Sequence, residues 1–580
     1  MKLAPSLVAV ATALHSAIAG AASATRESND QLSVRQIAII GAGAAGASTS
    51  FHLRQFARER GIPINITVFE KTERIGGRTL TVDVYEDQAQ PAELGASIFI
   101  KLNHILWNAT ERFNLPLREP ELGGDGILAI WDGDKFVYQQ DEDSWYWWNI
   151  AKLFWKYGTS PYRTQKLMQS VIDKFLKLYE EPYFPFPSLS LRAQELELTH
   201  ITGQTGTQFL SQNKVSYSCT FDEHLTHETR SRSCSLTTSF KQAPGSIMPP
   251  TWLTFTGLRQ CEQVSMAPEG ASQVAGGNWQ IFSHMVAESG ARILPNISVL
   301  GIELAKDDQT GKYHLKTAPT DSVSTPDFED TSVFDNVVIA TPFQFSGIKT
   351  GEGVLTDAID EIPYIKLHVT LFTSPFRLSA AFFNLDAGSQ VPTSVLTTLS
   401  SDDSPDSGTQ GAGKAGFYSI STLKTVVHPS TGKKEFLYKI FSPEKVTAEF
   451  LSALLGVEVD EPFTENVSSE GPDSVKPISW YYPHVFYSYP KELPRVTFQD
   501  PVLGPGLYYT SGIESFISTM ETSALMGMNV ARLIVDDASA TKKKGEGQKI
   551  PHAQAEGAQR VVLKGYMTRP TVDPYIVEEL

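Results

Sequence analysis

Ile37-Ala38-Ile39-Ile40-Gly41-Ala42-Gly43-Ala44-Ala45-Gly46 is an apolar run that breaks into glycine and resumes in small residues. It reads as a strand over residues 34–40, a tight turn, and a helix from about Ala45 to Glu59. Gly41 permits the turn, Gly43 lets the backbone approach a pyrophosphate, and Gly46 lets the helix lie close on the sheet. The helix N-terminus then offers unpaired N–H groups and a positive dipole end to an anion. A second apolar run, residues 64–69, is expected to be the next strand, and it ends at Glu70, 24 residues after Gly46. A carboxylate there can accept hydrogen bonds from ribose hydroxyls. The spacing predicts a βαβ unit that binds a dinucleotide. A glycine-rich turn that binds nothing is the weaker alternative, because strand, helix and acidic residue all fall where the ligand needs them.

The rest of the chain limits the class. With 580 residues, 41% apolar and 20% charged, it is expected to be a globular protein of several lobes. A formal net charge of −16 argues against nucleic acid as a partner and against an anionic membrane surface. Residues 1–24 read as a signal peptide, with Lys2, a short apolar stretch over 7–19, and an Ala22-Ser23-Ala24 cleavage site. No later run is long and apolar enough to span a bilayer. The expectation is a product of the secretory pathway, in a lysosomal or vacuolar lumen or outside the cell. Cys219, Cys234 and Cys261 form no Cys-x-x-Cys, so neither a redox dithiol nor a metal site is expected. One disulfide is allowed, with Cys219 and Cys234 the nearest pair. Of the sequons, Asn108, Asn296 and Asn466 are candidate glycan sites, whereas Asn65 falls in a strand expected to be buried.

The fold class is predicted as α/β, a Rossmann-like nucleotide-binding domain with an interleaved α+β substrate domain. The nucleotide domain takes residues 34–115, 266–345 and 496–536; the substrate domain takes 116–265 and 346–495; residues 537–580 are expected to form a flexible tail. Polar glycine- and serine-rich loops at 400–413 and 465–473 punctuate the second half. An aromatic cluster (Trp145, Tyr146, Trp147, Trp148, Trp155 and Tyr157) marks the first substrate segment. Three readings stay open for it: the floor of an apolar ligand pocket, core packing, or a peripheral membrane-facing patch.

The residues after Glu70 bear on which dinucleotide binds. Lys71-Thr72-Glu73-Arg74-Ile75-Gly76-Gly77-Arg78-Thr79 resembles the Arg-x-Gly-Gly-Arg signature of the FAD family that contains amine oxidases. The resemblance implies FAD rather than NAD, with Gly76 and Gly77 passing backbone beside the pyrophosphate and Arg78 supplying charge. Phe334-Asp335-Asn336-Val337-Val338-Ile339-Ala340-Thr341-Pro342 is similar to the family's second flavoprotein strand, and Val299 to the place where backbone groups read the adenine. Gly506 through Gly512-Ile513-Glu514, followed by a helix from near Met520, resembles the closing motif. There Gly512 and Glu514 are implied to meet the ribitol while the helix N-terminus faces the flavin ring. The implied cofactor set is Gly41, Gly43, Ala44, Ala45, Gly46, Glu70, Lys71, Gly76, Gly77, Arg78, Val299, Gly512, Glu514 and Met520.

Further stretches resemble prenylcysteine oxidases within that family: Glu93-Leu94-Gly95-Ala96-Ser97, Gly276-Gly277-Asn278-Trp279, Ile362-Pro363-Tyr364 and Trp480-Tyr481-Tyr482-Pro483-His484. The resemblance implies oxidative cleavage of farnesyl- or geranylgeranyl-cysteine. Hydride leaves the carbon beside sulphur, water adds, and the hemithioacetal collapses to cysteine and an isoprenoid aldehyde while O2 becomes hydrogen peroxide. Sulphur and the allylic double bond stabilise the cation, so orientation matters more than acid–base help. His368 and His484 are weak candidates for a catalytic acid or base, and a packing role is the alternative for each. Two other readings stay open. A flavin amine oxidase would use a lysine such as Lys366 or Lys439, and a prenyl-lipid carrier would need no flavin, against which the intact glycines speak. One outcome is fixed by the leader: N-terminal sequencing of protein from its native host is expected to start near Thr25, and recovery of Met1 overturns the secretory assignment.

Overall fold

The computed structural model describes residues 34–119, 127–139, 160–205, 271–305, 311–320, 329–400, 408–463, 476–491 and 493–545, with a few positions between 208 and 213 and at 403. The signal peptide, the three cysteines, the Trp145 cluster and Asn466 lie outside the described residues. In chain order, the elements that position the site are β1 (Arg35–Ile40), α1 (Ala44–Arg60), β2 (Ile64–Phe69), α2 (His104–Arg112), β3 (Arg292–Leu294), β4 (Asn336–Ile339), β5 (Tyr364–Ser374), β6 (Lys434–Ser442), β7 (Trp480–Pro490), β8 (Leu507–Tyr509) and α3 (Met520–Gly545).

The expected βαβ unit is present, with β1 and β2 parallel and Ile40 opposite Phe69. It sits in a six-stranded sheet ordered 502–504, β8, β4, β1, β2, β3, parallel except for the first strand. β1 is covered on both faces, which is why it reads as an unbroken apolar run. Ile37 and Ile39 pack with the helical layer of α1 and α3. Ala38 and Ile40 pack with Val299, Ile302, Tyr313 and Leu315 of a four-stranded sheet beneath. A separate seven-stranded sheet runs β7, β5, β6, 419–427, 394–397, 128–131, 136–139. The fold is therefore α/β with a Rossmann-like core, as expected.

α3 lies directly on α1. A Cβ on Gly527 would stand 2.3 Å from the Ala45 carbonyl oxygen, so only glycine permits this approach. The Ser48 hydroxyl donates to the Ala524 carbonyl at 2.6 Å across the same contact. Further along α3, the Asn529 amide brackets the Phe186 backbone, accepting from its N–H at 2.7 Å and donating to its carbonyl at 2.8 Å. That bracket ties the turn around residues 183–187 to the nucleotide core.

Two expectations need correction. The tail does not begin at Asp537, because α3 continues to Gly545 and the Tyr508 hydroxyl donates to Asp537 at 2.7 Å. Val535 and Ala538 remain buried, so the helix still has an inner face after the sequence turns polar. Asn65 is exposed rather than buried, since alternation at the start of β2 turns Ile64 and Ile66 inward and Asn65 outward. Asn108 and Asn296 are exposed as expected. Gly527→Ala is expected to destabilise the protein by about 1–3 kcal/mol through overpacking, read as a lowered midpoint in thermal or urea denaturation. An unchanged midpoint would mean the α1–α3 contact yields freely.

Candidate cofactor-binding site

Two glycine turns meet backbone to backbone. The Gly76 N–H donates to the Ala42 carbonyl at 3.0 Å, joining the turn after β1 to the turn after β2. Gly76 and Gly77 have φ of 127° and 58°, a region that favours glycine. A Cβ on Gly46 would fall 1.9 Å from the Gly41 oxygen, so α1 can start here only if that residue is glycine. Gly43 differs, because a Cβ there would meet only the Gly77 Cα, at 3.7 Å. Gly43 and Gly77 pass backbone to backbone, a Cβ on Gly77 standing 3.1 Å from the Gly43 Cα, beside first-turn N–H groups of α1 that the helix itself cannot pair. Those N–H groups, beside two residues that carry no side chain, are donors suited to a pyrophosphate.

Glu70 is buried at the end of β2. Its Oε2 accepts from the Ala42 N–H at 2.8 Å, and Oε1 accepts from the Thr72 N–H at 2.9 Å and the Thr72 hydroxyl at 2.8 Å. The turn therefore fixes the carboxylate beside Gly43. Lys71 is exposed, and its carbonyl accepts from the Thr320 hydroxyl at 2.7 Å. The Ile297 N–H donates to the Glu70 carbonyl at 3.0 Å, which brings the strand carrying buried Val299 against the end of β2. Ala44 and Ala45 form the first turn of α1.

The C-terminal part of the chain closes the same region. Glu514 is 2% exposed and accepts from Arg78 at 2.7 Å and from the Tyr364 hydroxyl at 2.9 Å. Gly512 lies against Gln499, whose carbonyl oxygen is 2.6 Å from where a Cβ would be. α3 starts at Met520 behind a reciprocal cap: the Thr522 N–H donates to the Thr519 hydroxyl at 3.1 Å, and the Thr519 N–H to the Thr522 hydroxyl at 3.0 Å. Glu521 turns to α2 and accepts from the Ile105 N–H at 2.9 Å, the Leu106 N–H at 3.1 Å and the Tyr179 hydroxyl at 2.9 Å. Burial pushes this carboxyl up to about 7, against the pull of those donors. Tyr364, Thr519 and Glu521 were not read as functional in the sequence. Only Thr519, three residues before Thr522, carries a local capping signal.

The two histidines are separated by a sheet. In register, His484 pairs with Val369, while His368 pairs with Val485 on one side and Ser442 on the other. Side chains alternate, so the imidazoles lie on opposite faces of the seven-stranded sheet and cannot act as a pair. His484 packs edge to face on Phe486 with centroids 4.1 Å apart, and burial and then the Arg74 charge lower its pKa. Burial and then Lys366 lower that of His368. Among the described residues no carboxylate is hydrogen-bonded to either ring. Lys366 is exposed. Lys439 is buried, donates to the Glu93 carbonyl at 2.8 Å, and has its pKa lowered to about 8, chiefly by burial.

The paired glycine turns, the fixed Glu70 and the buried Arg78–Glu514 contact define a dinucleotide-binding oxidoreductase of the flavoprotein class, with FAD as cofactor. The model of an NAD(P)-binding Rossmann-like domain matches residues 39–113. The prenylcysteine lyase model matches residues 140–230 and 256–547, and the chain belongs to that family. Farnesylcysteine lyase of Arabidopsis thaliana is 26% identical over 513 residues, covering 86% of this chain and 88% of the relative. Prenylcysteine oxidase 1 of Homo sapiens is 26% identical over 505 residues, with the same shares covered. Among solved structures, cyclohexylamine oxidase from Brevibacterium oxydans superposes with a TM-score of 0.47 at 14% identity, covering 87% of this chain and 99% of that one.

Gly43→Val is expected to abolish flavin binding, because its methyl groups would crowd Gly77 and the first-turn N–H groups of α1. The absorbance ratio of purified protein near 450 and 280 nm measures this, with circular dichroism as the folding check. A fully yellow, folded variant would place the cofactor elsewhere.

Proposed function

We propose that this protein is an FAD-dependent thioether oxidase that cleaves S-prenyl-L-cysteine, with O2 and water, to cysteine, an isoprenoid aldehyde and hydrogen peroxide. The family match beyond the nucleotide core, together with a cradle whose glycines and acidic residue are all in place, carries this reading. Bound FAD supplies the hydride acceptor and passes the electrons on to O2.

The chain's own residues hold and orient. Gly41, Gly43 and Gly46 with Ala44 and Ala45 would hold the pyrophosphate at the start of α1, with Gly76 and Gly77 beside them. Glu70 takes ribose hydroxyls, Lys71 lies at the rim, and the strand of Val299 borders the adenine. Arg78 and Glu514, fixed by each other, border the ribitol with Gly512. The start of α3 at Met520 presents a positive dipole end, which favours negative charge on the ring side of the cofactor. Neither histidine is built as a base: burial lowers the proton affinity of each, and among the described residues neither ring is oriented by a carboxylate. Hydride loss from carbon next to sulphur needs no base, which agrees with their setting.

The segments expected for the nucleotide and substrate domains belong to the same reading, with the closing segment carried on through α3 to Gly545. So does a secretory location, lysosomal, vacuolar or extracellular, with glycans at exposed Asn108 and Asn296. No helix among the described residues is long and apolar enough to cross a membrane.

Single-turnover flavin bleaching with farnesyl-cysteine deuterated at the carbon beside sulphur tests the mechanism. Deuterium is expected to slow bleaching clearly, while His484→Gln or His368→Gln costs less than the roughly 100-fold that loss of a true base would bring. No isotope effect combined with a large loss at either histidine would overturn hydride transfer as the slow chemical step.

A further inference from the structure

The loop between β7 and the strand 502–504 carries an arginine that the site described above leaves unused. The Arg495 N–H donates to the Thr202 carbonyl at 2.8 Å, seating this loop on the short helix Thr199–Thr202. The turn after that helix is pressed close, with Val496 Cγ1 2.9 Å from the Cβ position of Gly203. Around this contact three side-chain atoms are buried without a hydrogen-bond partner among the described residues: Arg495 Nη1, Thr202 Oγ1 and Gln204 Oε1. A buried polar atom left unpaired is costly, and three at one contact call for a common partner.

The three atoms differ in kind. A guanidinium N–H can only donate, a hydroxyl can donate, and an amide oxygen can only accept. That set is complementary to an α-amino-acid zwitterion, whose carboxylate accepts from the first two and whose ammonium donates to the third. Leu493 and Val496, 61% and 54% exposed, flank Arg495 and put large apolar surface beside the polar atoms. The same loop runs on to the cofactor motif: Phe498 stands edge to face with Phe516 at 5.0 Å, and the Gln499 carbonyl abuts Gly512. An amphiphile with an amino-acid head and an apolar tail fits this combination.

We propose that Arg495, Thr202 and Gln204 form the subsite for the cysteine head group of the substrate. Arg495 and Thr202 hold the carboxylate, Gln204 holds the ammonium, and Leu493 and Val496 begin the path of the isoprenoid chain. The assignment rests on the thioether-oxidase reading given above.

The test is anaerobic flavin bleaching of the holoenzyme with S-farnesyl-L-cysteine and with S-farnesylcysteamine, which lacks the carboxylate. In Arg495→Met, half-saturation by farnesyl-cysteine is expected to shift upward by about 10- to 100-fold, as for loss of a charged hydrogen bond. Half-saturation by farnesylcysteamine should stay put, limiting bleaching rates and flavin content should not change, and Arg495→Lys should recover part of the loss. Should Arg495→Met fail to fold, Thr202→Val is read in the same way. Equal weakening of both thioethers, or no weakening of either, overturns the subsite while leaving the oxidase reading intact. If the wild-type protein bleaches with neither thioether, the oxidase reading fails and the subsite falls with it.

Discussion

A carboxylate taken out of water must be met by donors, and Glu514 is met by two from distant parts of the chain. Arg78 comes from the turn after β2 and Tyr364 from the start of β5, at 2.7 and 2.9 Å. Burial and then the Glu514 charge raise the Tyr364 phenol far above its ordinary value, so it remains a donor at any physiological pH. Glu514 thereby holds the turn after β2, the seven-stranded sheet and its own segment in a fixed relation. The glycine turns sit next to this link, since Gly77 precedes Arg78 and abuts Gly43.

A second polar link joins the lobes from within. Glu93 precedes Leu94 and Gly95, and Gly95 is pressed so close to the Arg78 carbonyl that a Cβ would stand 2.0 Å from it. The Glu93 carboxylate accepts from the Asn278 N–H at 2.8 Å, and its carbonyl accepts from Lys439 of β6. Burial pushes the Glu93 carboxyl up to about 7, while Lys439 falls to about 8. Lys439, which the sequence suggested for amine chemistry, spends one donor on this structural contact.

The nucleotide half was legible because its chemistry is local. A strand, three glycines and one acid at set spacing constrain the backbone wherever they occur, and β1, α1 and β2 appear where the pattern puts them. The substrate half was not legible in the same way. Whether His368 and His484 share a face depends on the register of β5 against β7, which no local pattern encodes. Tyr364 and Arg495 matter through contacts with residues 150 and 293 positions away, and in sequence each looks like an ordinary loop or strand residue. The polar stretch after Asp537 misled for a related reason: its helix is sustained by packing on one side, which composition averages away.

The Arg78–Glu514 contact also orders events in time. The cradle's first half is complete within the first hundred residues to leave the ribosome, yet its counter-charge is on residue 514 and its packing helix extends to Gly545. A nascent chain therefore carries its glycine turns long before the Glu514 and α3 that pack against them have been made.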